Sequence, residues 1–242
     1  MAELRSRLNA AKHITVLTGA GVSAASGVPT FRGADGLWRT YRAEDLATPQ
    51  AFRRDPLLVW QWYDWRRTLI ASCKPNAAHE ALAKWSRRDG FTLVTQNVDG
   101  LHELAGTRNV IRFHGSIWEI RCTGCDTARD DRTAPLSPLP PRCSRCGALE
   151  RPGVVWFGES IHPRVLAECD RALHCDLFLS IGTSSVVYPA AGLVHEARSR
   201  GAFTVEINPV TTEAGHGVDM VIAMGAEDAL PAIGHGEQGQ PD

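Results

Sequence analysis

The sequence lacks a long apolar run. None of its stretches approaches the ~20 residues a spanning helix needs, so a membrane protein is not indicated. It also offers little room for a cleavable signal, because "MAELRSRLNAAKH" passes straight into the strand-like "ITVLTG", and a cytoplasmic protein is expected. An excess of charge of either sign is missing too. At a formal net charge of −1 there is no electrostatic footprint for nucleic acid or anionic lipid, which leaves a small molecule or another protein as the expected partner. The 242 residues suffice for one α/β domain, alone or carrying a small insertion. The tail "GHGEQGQPD", 234–242, has too few apolar residues to pack and is expected to be disordered.

Cysteine, by contrast, is plentiful, and four of the seven stand as Cys122-x-x-Cys125 and Cys143-x-x-Cys146. The spacing between the pairs lies in the ~15–20-residue window of a four-cysteine zinc site, and the charged, proline-rich "DTARDDRTAPLSPLPPR" between them is the kind of loop such a module tolerates. Two disulfides, or four unrelated buried thiols, are the alternatives; a chain without a secretory signal disfavours the disulfides. Neither pair includes a His or an acid, so the expected metal is structural. Cys73, Cys169 and Cys175 read as small buried hydrophobes.

Short β-branched runs alternate with helical patterns: "ITVLTG", "FTLVTQ", "VIRF", "DLFLSIG", "FTVEIN" and "DMVIAMG". This predicts a parallel sheet covered on both faces, a Rossmann-like doubly wound α/β fold. Helices are predicted over "DPLLVWQWYDWRRTLIA", with Leu58, Trp62, Trp65 and Leu69 at helical spacing, over "NAAHEALAKWSRR", and over "YPAAGLVHEARSRG" with its glycine stop. The cysteine module interrupts this order as an insertion. The expected division is a large domain over about 1–115 and 155–233 and a small zinc domain over about 116–154.

The first strand runs into "TGAGVSAASG", where Gly19, Ala20, Gly21 and Ala24 fit a G-x-G-x-x-G/A turn that lets backbone amides approach a pyrophosphate. A plain strand-to-helix connection has the same form. What a dehydrogenase should show next, a second strand ending in an acid about 20 residues on, is absent: the chain enters the glycine-rich "GVPTFRGADGLWRTYRAEDLATP". Two later strand ends, "IGTSS" with Gly182, Thr183 and Ser184 and "VEINP" with Glu206 and Asn208, carry groups suited to ribose and phosphate.

Taken in order, "GAGVSAASGVPTFRG", "TQNVDGLH", "FHGS", the paired Cys-x-x-Cys, "IGTSS" and "EINP" resemble a sirtuin, the family of NAD-dependent protein lysine deacylases, across nearly the whole chain. The resemblance implies a Rossmann-like domain, a zinc ribbon, and a cleft holding NAD and an acylated-lysine peptide. It implies that Asn97 and Asp99 contact the nicotinamide carboxamide and an ordered water, that Gln96 reaches the ribose, and that Phe31 and Arg32 belong to a loop shielding the ribose. His114 in "RFHGS" becomes the expected base. It takes a proton from the ribose hydroxyl chain after the acyl oxygen has displaced nicotinamide, so the products are free lysine, nicotinamide and O-acyl-ADP-ribose. "GVVWFGE", with Val154, Val155, Phe157, Gly158 and Glu159, matches the stretch on which substrate peptide adds as a strand. Ala25 departs from the acid that many relatives carry in this loop, which bears on a local contact and not on the chemistry. His79 and His102 read as structural.

Tyr63 and Arg66, three residues apart on one helix, are similar to the Tyr-x-x-Arg of class III sirtuins, which remove malonyl and succinyl groups, and Ala43 matches the small residue that widens their pocket. An ordinary solvated helix edge is the other explanation of such a pair. Three rivals to the deacylase remain at this point: an NAD-dependent dehydrogenase, disfavoured by the missing second strand, a mono-ADP-ribosyltransferase on the same scaffold, and a zinc-ribbon binding module without catalysis.

Overall fold

The computed structural model describes residues 1–29, 43–184, 187–212 and 214–234. Its strands are β1 (Ile14–Thr18), β2 (Phe91–Thr95), β3 (Val110–Arg112), β4 (Gly115–Cys122), β5 (Ala128–Asp130), β6 (Glu150–Val154), β7 (Leu177–Ile181), β8 (Phe203–Ile207) and β9 (Met220–Ile222). Its helices are α1 (Ala2–Ala10), α2 (Gly21–Ala24), α3 (Ala43–Leu46), α4 (Pro49–Arg54), α5 (Pro56–Ser72), α6 (Ala77–Trp85), α7 (Leu101–Leu104), α8 (Pro163–Ala172), α9 (Leu193–Ser199) and α10 (Ala226–Gly234). Gly234, the first residue of the expected tail, closes α10; the remainder of that tail, and Phe31 and Arg32, lie outside the described residues.

All six β-branched runs enter one parallel sheet in the order β3-β2-β1-β7-β8-β9. Every residue of β1 and β7 is buried, as a sheet covered on both faces requires. Side chains alternate between two cores. Val16, Leu93, Leu179 and Val205 pack under α1, α6 and α10 with Leu8, Leu82 and Leu230. Leu17, Val94 and Phe178 point the other way, onto Leu173 at the end of α8 and Val194 of α9. The chain steps outward from β1 to β3 and resumes on the far side of β1 at β7. The connections therefore diverge at the carboxyl ends of β1 and β7, the switch point where such sheets open a crevice.

A third core joins α3, α4 and α5 to the antiparallel sheet β5-β4-β6. The buried face of α5 is not the stripe the sequence predicts. Val59, Trp60, Trp62, Tyr63, Arg67 and Ile70 are buried, while Leu58, Trp65 and Leu69 are half-buried at its edges. The reason is that two polar groups belong to the inner face and find partners there. Trp60 Nε1 donates to the Glu150 carbonyl at 2.7 Å. Arg67, fully buried, donates to the carbonyls of Ile117 (2.9 Å), Asp131 (2.7 Å) and Thr133 (2.9 Å), so it ties α5 to β4 and to the loop beyond β5. Asp55 starts α5, accepting from the Leu58 amide at 2.9 Å with Pro56 at the first helical position. Among the described residues no helix is long and apolar enough to cross a membrane.

Candidate active site

The glycines after β1 are explained first by how closely two loops approach. A Cβ on Gly21 would stand 2.8 Å from the Gly182 Cα, and Gly182 itself has φ +60, so the turns following β1 and β7 meet backbone to backbone. Gly21 N–H donates to the Gly182 carbonyl (2.8 Å) and Gly19 N–H to that of Ile181 (3.1 Å). Thr183 is buried and Ser184 exposed beside them. One strand further, Asn208 Nδ2 donates to the Thr183 carbonyl at 2.8 Å. Glu206 is otherwise engaged: its carboxylate receives the Thr212 amide (2.9 Å) and hydroxyl, which holds down the loop after β8.

The segment that follows β2 is organised around a serine. Ser23 Oγ donates to Asp99 Oδ2 (2.8 Å), accepts from Asn97 Nδ2 (3.2 Å) and lies 3.4 Å from His79 Nε2. Asn97 Nδ2 also reaches the Gly19 carbonyl at 2.9 Å. Gly100 adopts φ +76, which turns the chain so that Asp99 Oδ1 accepts the Leu101 amide at 2.9 Å at the start of α7. The Asp99 carboxyl is raised above the usual range by burial, with the Leu101 and Ser23 donors pulling it back. Below this layer His79 Nδ1 meets the Asn76 amide (3.3 Å) and Oδ1 (3.1 Å) in a capping box at the start of α6, which turns Nε2 toward Ser23. His102 Nε2 sits 3.0 Å from Thr18 Oγ1, which contacts Thr95 Oγ1 at 2.8 Å, and Thr95 in turn accepts the Asn97 amide at 3.1 Å. Burial holds His79 down at about 4 and His102 at about 3, so both are neutral.

His114, between β3 and β4, is half-buried, with Nδ1 3.1 Å from the Gln96 carbonyl. A carbonyl can only accept, so the Nδ1 proton is held there and Nε2 carries the lone pair. Burial lowers its pKa from the ordinary histidine value, and the Gln96 contact opposes the shift. The His114 carbonyl accepts from Val155, placing this histidine beside the stretch matched to peptide binding (2.9 Å). That stretch is strand only to Val154. From Val155 the backbone turns and is braced: Trp156 N–H donates to Glu159 Oε2 (2.9 Å) and Phe157 N–H to the Ala47 carbonyl (2.9 Å), while the Phe157 side chain and Gly158 are exposed.

On α5, Tyr63 is buried and accepts a hydrogen bond on its phenol oxygen from Trp156 Nε1 at 3.0 Å. The Arg66 guanidinium lies over the Trp62 ring at 5.1 Å. Burial raises Tyr63 to about 12 and lowers Arg66, with charge interactions from Tyr63 and Asp99 opposing the lowering of Arg66. Ala43 opens α3, and its side chain lies outside what is described.

The four paired cysteines converge. Their Sγ atoms all lie within 4.8 Å of one another, Cys122 to Cys146 at 3.4 Å and Cys125 to Cys143 at 3.8 Å, and all are free thiols. Tetrahedral Zn–S bonds of ~2.3 Å put sulfurs about 3.8 Å apart. The amides of Gly124 and Cys125 point at Cys122 Sγ (3.2 and 3.3 Å), as suits a thiolate, so these residues fit a structural zinc and not disulfides. Ser23, Arg67 and Trp156 are what sequence reasoning missed. Ser23 fills a variable position of the glycine template, Trp156 lies within "GVVWFGE" without being singled out there, and Arg67 stands in a helical pattern in which it counts as polar.

Glycine loops at a switch point, a polar cluster at the end of β2, a histidine with a free Nε2 and an adjoining four-cysteine module define a nucleotide-binding α/β enzyme with a structural zinc unit. The chain matches the Sir2 family over residues 19–189 and belongs to it. It is 51% identical over 225 residues to the NAD-dependent protein deacylase of Aquifex aeolicus, covering 91% of this chain and 93% of that one. It is 46% identical over 242 residues to NAD-dependent protein deacylase sirtuin-5, mitochondrial, of Canis lupus familiaris, covering 88% and 78%. Its fold superposes on a Sir2 homologue–NAD complex with a TM-score of 0.92 at 45% identity, covering 96% and 92%.

Proposed function

We propose that this chain is an NAD-dependent protein lysine deacylase that removes malonyl and succinyl groups from protein substrates and acetyl groups more weakly. NAD is consumed as a substrate. The bond between nicotinamide and ribose breaks and the acyl oxygen takes the vacated carbon; the ribose 2′-oxygen then attacks the acyl carbon, the C–N bond to lysine breaks, and one water is taken up as the acyl group leaves as O-acyl-ADP-ribose. Asn97 and Asp99 hold the nicotinamide carboxamide, Gln96 and Asn208 contact ribose, and the turns at Gly19, Ala20, Gly21 and Ala24 and at Gly182, Thr183 and Ser184 take the phosphates. His114 Nε2 receives the ribose hydroxyl proton. The observation that carries the chemistry is the pinning of His114 Nδ1–H on the Gln96 carbonyl, which leaves the opposite nitrogen basic beside the Asn97–Ser23–Asp99 cluster. Zinc supplies folding energy to the β4–β6 unit and enters no step. Relatives named as deacylases do not favour the ADP-ribosyltransferase alternative.

Acyl preference rests on Tyr63 and Arg66, a phenol and a guanidinium on one α5 face among tryptophans, a pairing that suits a terminal carboxylate. The test is NAD with acetyl-, malonyl- and succinyl-lysine peptides, reading O-acyl-ADP-ribose by mass. A charge-assisted hydrogen bond to a buried carboxylate contributes roughly 1.5–3 kcal/mol. Arg66→Met is therefore expected to lower kcat/KM on succinyl-lysine by about 10- to 100-fold while deacetylation stays within a few-fold, and Tyr63→Phe to do less. An equal fall on both substrates would reduce the pair to a structural role.

A further inference from the structure

Tyr63 is useful to an acidic acyl group only if its hydroxyl proton faces that group, and a phenol buried in an apolar wall is free to turn its proton elsewhere. Here the choice is constrained. An indole N–H can donate and cannot accept, so Trp156 Nε1, 3.0 Å away, occupies the acceptor side of the Tyr63 oxygen and leaves the phenol's own proton as its donor. Burial keeps that proton in place, with the Tyr63 pKa at about 12.

Trp156 is itself held on every side. The Arg151 guanidinium stacks on the ring at 3.4 Å, and the Phe52 ring is 5.2 Å away. Arg151 is fixed in turn by two bonds to Glu159, at 2.6 and 2.9 Å, and one to the Val154 carbonyl at 2.9 Å. Glu159 also receives the Trp156 amide. An indole braced in this way, by residues of the 151–159 segment on one side and α4 on the other, has little freedom to leave the phenol.

We propose that Trp156 is a positioning residue for acyl selectivity, fixing Tyr63 as a hydrogen-bond donor toward the carboxylate of a dicarboxylic acyl-lysine. The inference rests on the Tyr63–Arg66 reading above. Trp156 touches no reacting atom, and its effect passes through the Tyr63 oxygen.

The experiment is a double-mutant cycle of Trp156→Phe and Tyr63→Phe, with kcat and KM measured separately on succinyl- and acetyl-lysine peptides and Arg66→Met run in parallel. Phenylalanine keeps a ring for Arg151 and Phe52 and removes the indole donor along with part of the buried bicycle, so the ratio between the two substrates is what reads the donor. The succinyl-to-acetyl ratio of kcat/KM is expected to fall about five- to tenfold in Trp156→Phe, mainly through KM for the succinyl peptide. Adding Trp156→Phe to Tyr63→Phe should change the ratio no further, because the oxygen it acts on is gone. Site-specific replacement of Trp156 by β-(3-benzothienyl)alanine, which keeps the bicyclic shape and lacks the N–H, should reproduce the fall and covers a Trp156→Phe chain that does not fold. An unchanged ratio, or independent effects in the cycle, would overturn the role of Trp156. If the ratio survives Arg66→Met as well, the acyl-carboxylate reading itself falls. If only Arg66→Met collapses it, that reading stands and the Trp156 proposal alone is lost.

Discussion

At the scale of single residues, the site depends on which histidines stay neutral and which nitrogen each presents. His114 acts with Nε2 unprotonated, and burial lowers its pKa, so the basic form persists further into acid than for a free imidazole. The acid limb of kcat/KM is expected below the ordinary histidine value of about 6.5. His114→Ala should abolish lysine release while some exchange of labelled nicotinamide into NAD remains, since the base is needed only after nicotinamide leaves; loss of exchange in protein that still binds NAD would remove His114 from that role. His79 and His102 affect stability instead. Their folded pKa values, about 4 and about 3, lie below the unfolded value, so the unfolded chain binds more protons as pH falls. Their contribution is fully present above about pH 6.5 and is lost progressively as pH drops toward those folded values, by up to about 1.4 kcal/mol per pH unit for each. Urea midpoints measured from pH 8 down to pH 5 should show this slope, and His102→Asn should flatten it by roughly one proton.

At the scale of elements, α5 is tied through one face to the antiparallel sheet β5-β4-β6 and the segments that flank it. Trp60, Tyr63 and Arg67 occupy successive turns of that face and bond to Glu150, Trp156 and the Ile117–Thr133 carbonyls. The Arg67 guanidinium is the strongest of these ties because it is itself fully buried and serves three carbonyls at once, that of Ile117 inside the core. Arg67→Met should destabilise the chain by about 3 kcal/mol or more, read from the denaturant midpoint, since three carbonyls lose their donor at once. A loss below about 1 kcal/mol would mean that water takes over at the partly exposed Asp131. The hydrophobic period of α5 was legible in the sequence and its inward face was not, because a pattern that counts Arg67 and Tyr63 as polar rotates the stripe away from them.

At the scale of the whole molecule, the four-cysteine cluster holds a unit whose sheet, β5-β4-β6, is only three strands wide. Chelation is expected to release one metal per chain and to lower the thermal midpoint together with activity, because Ile117 and Trp118 of β4, Val154 of β6 and Trp156 just beyond it share a core with α5. Metal-free protein that keeps both its midpoint and its activity would sink this.

Local pattern by itself determined the six strands of the parallel sheet, the glycine turns, the paired cysteines and the order of motifs around His114. Each of these is written within a few consecutive residues, where backbone period and ligand spacing act directly. Only the tertiary structure decided that Ser23 joins Asn97 to Asp99, that α5 packs with the zinc unit, and that Trp156 meets the phenol of Tyr63. Those contacts span 74 to 93 residues of sequence, and no local period encodes which side chains the crossing of β1, α5 and β6 will bring within hydrogen-bond reach.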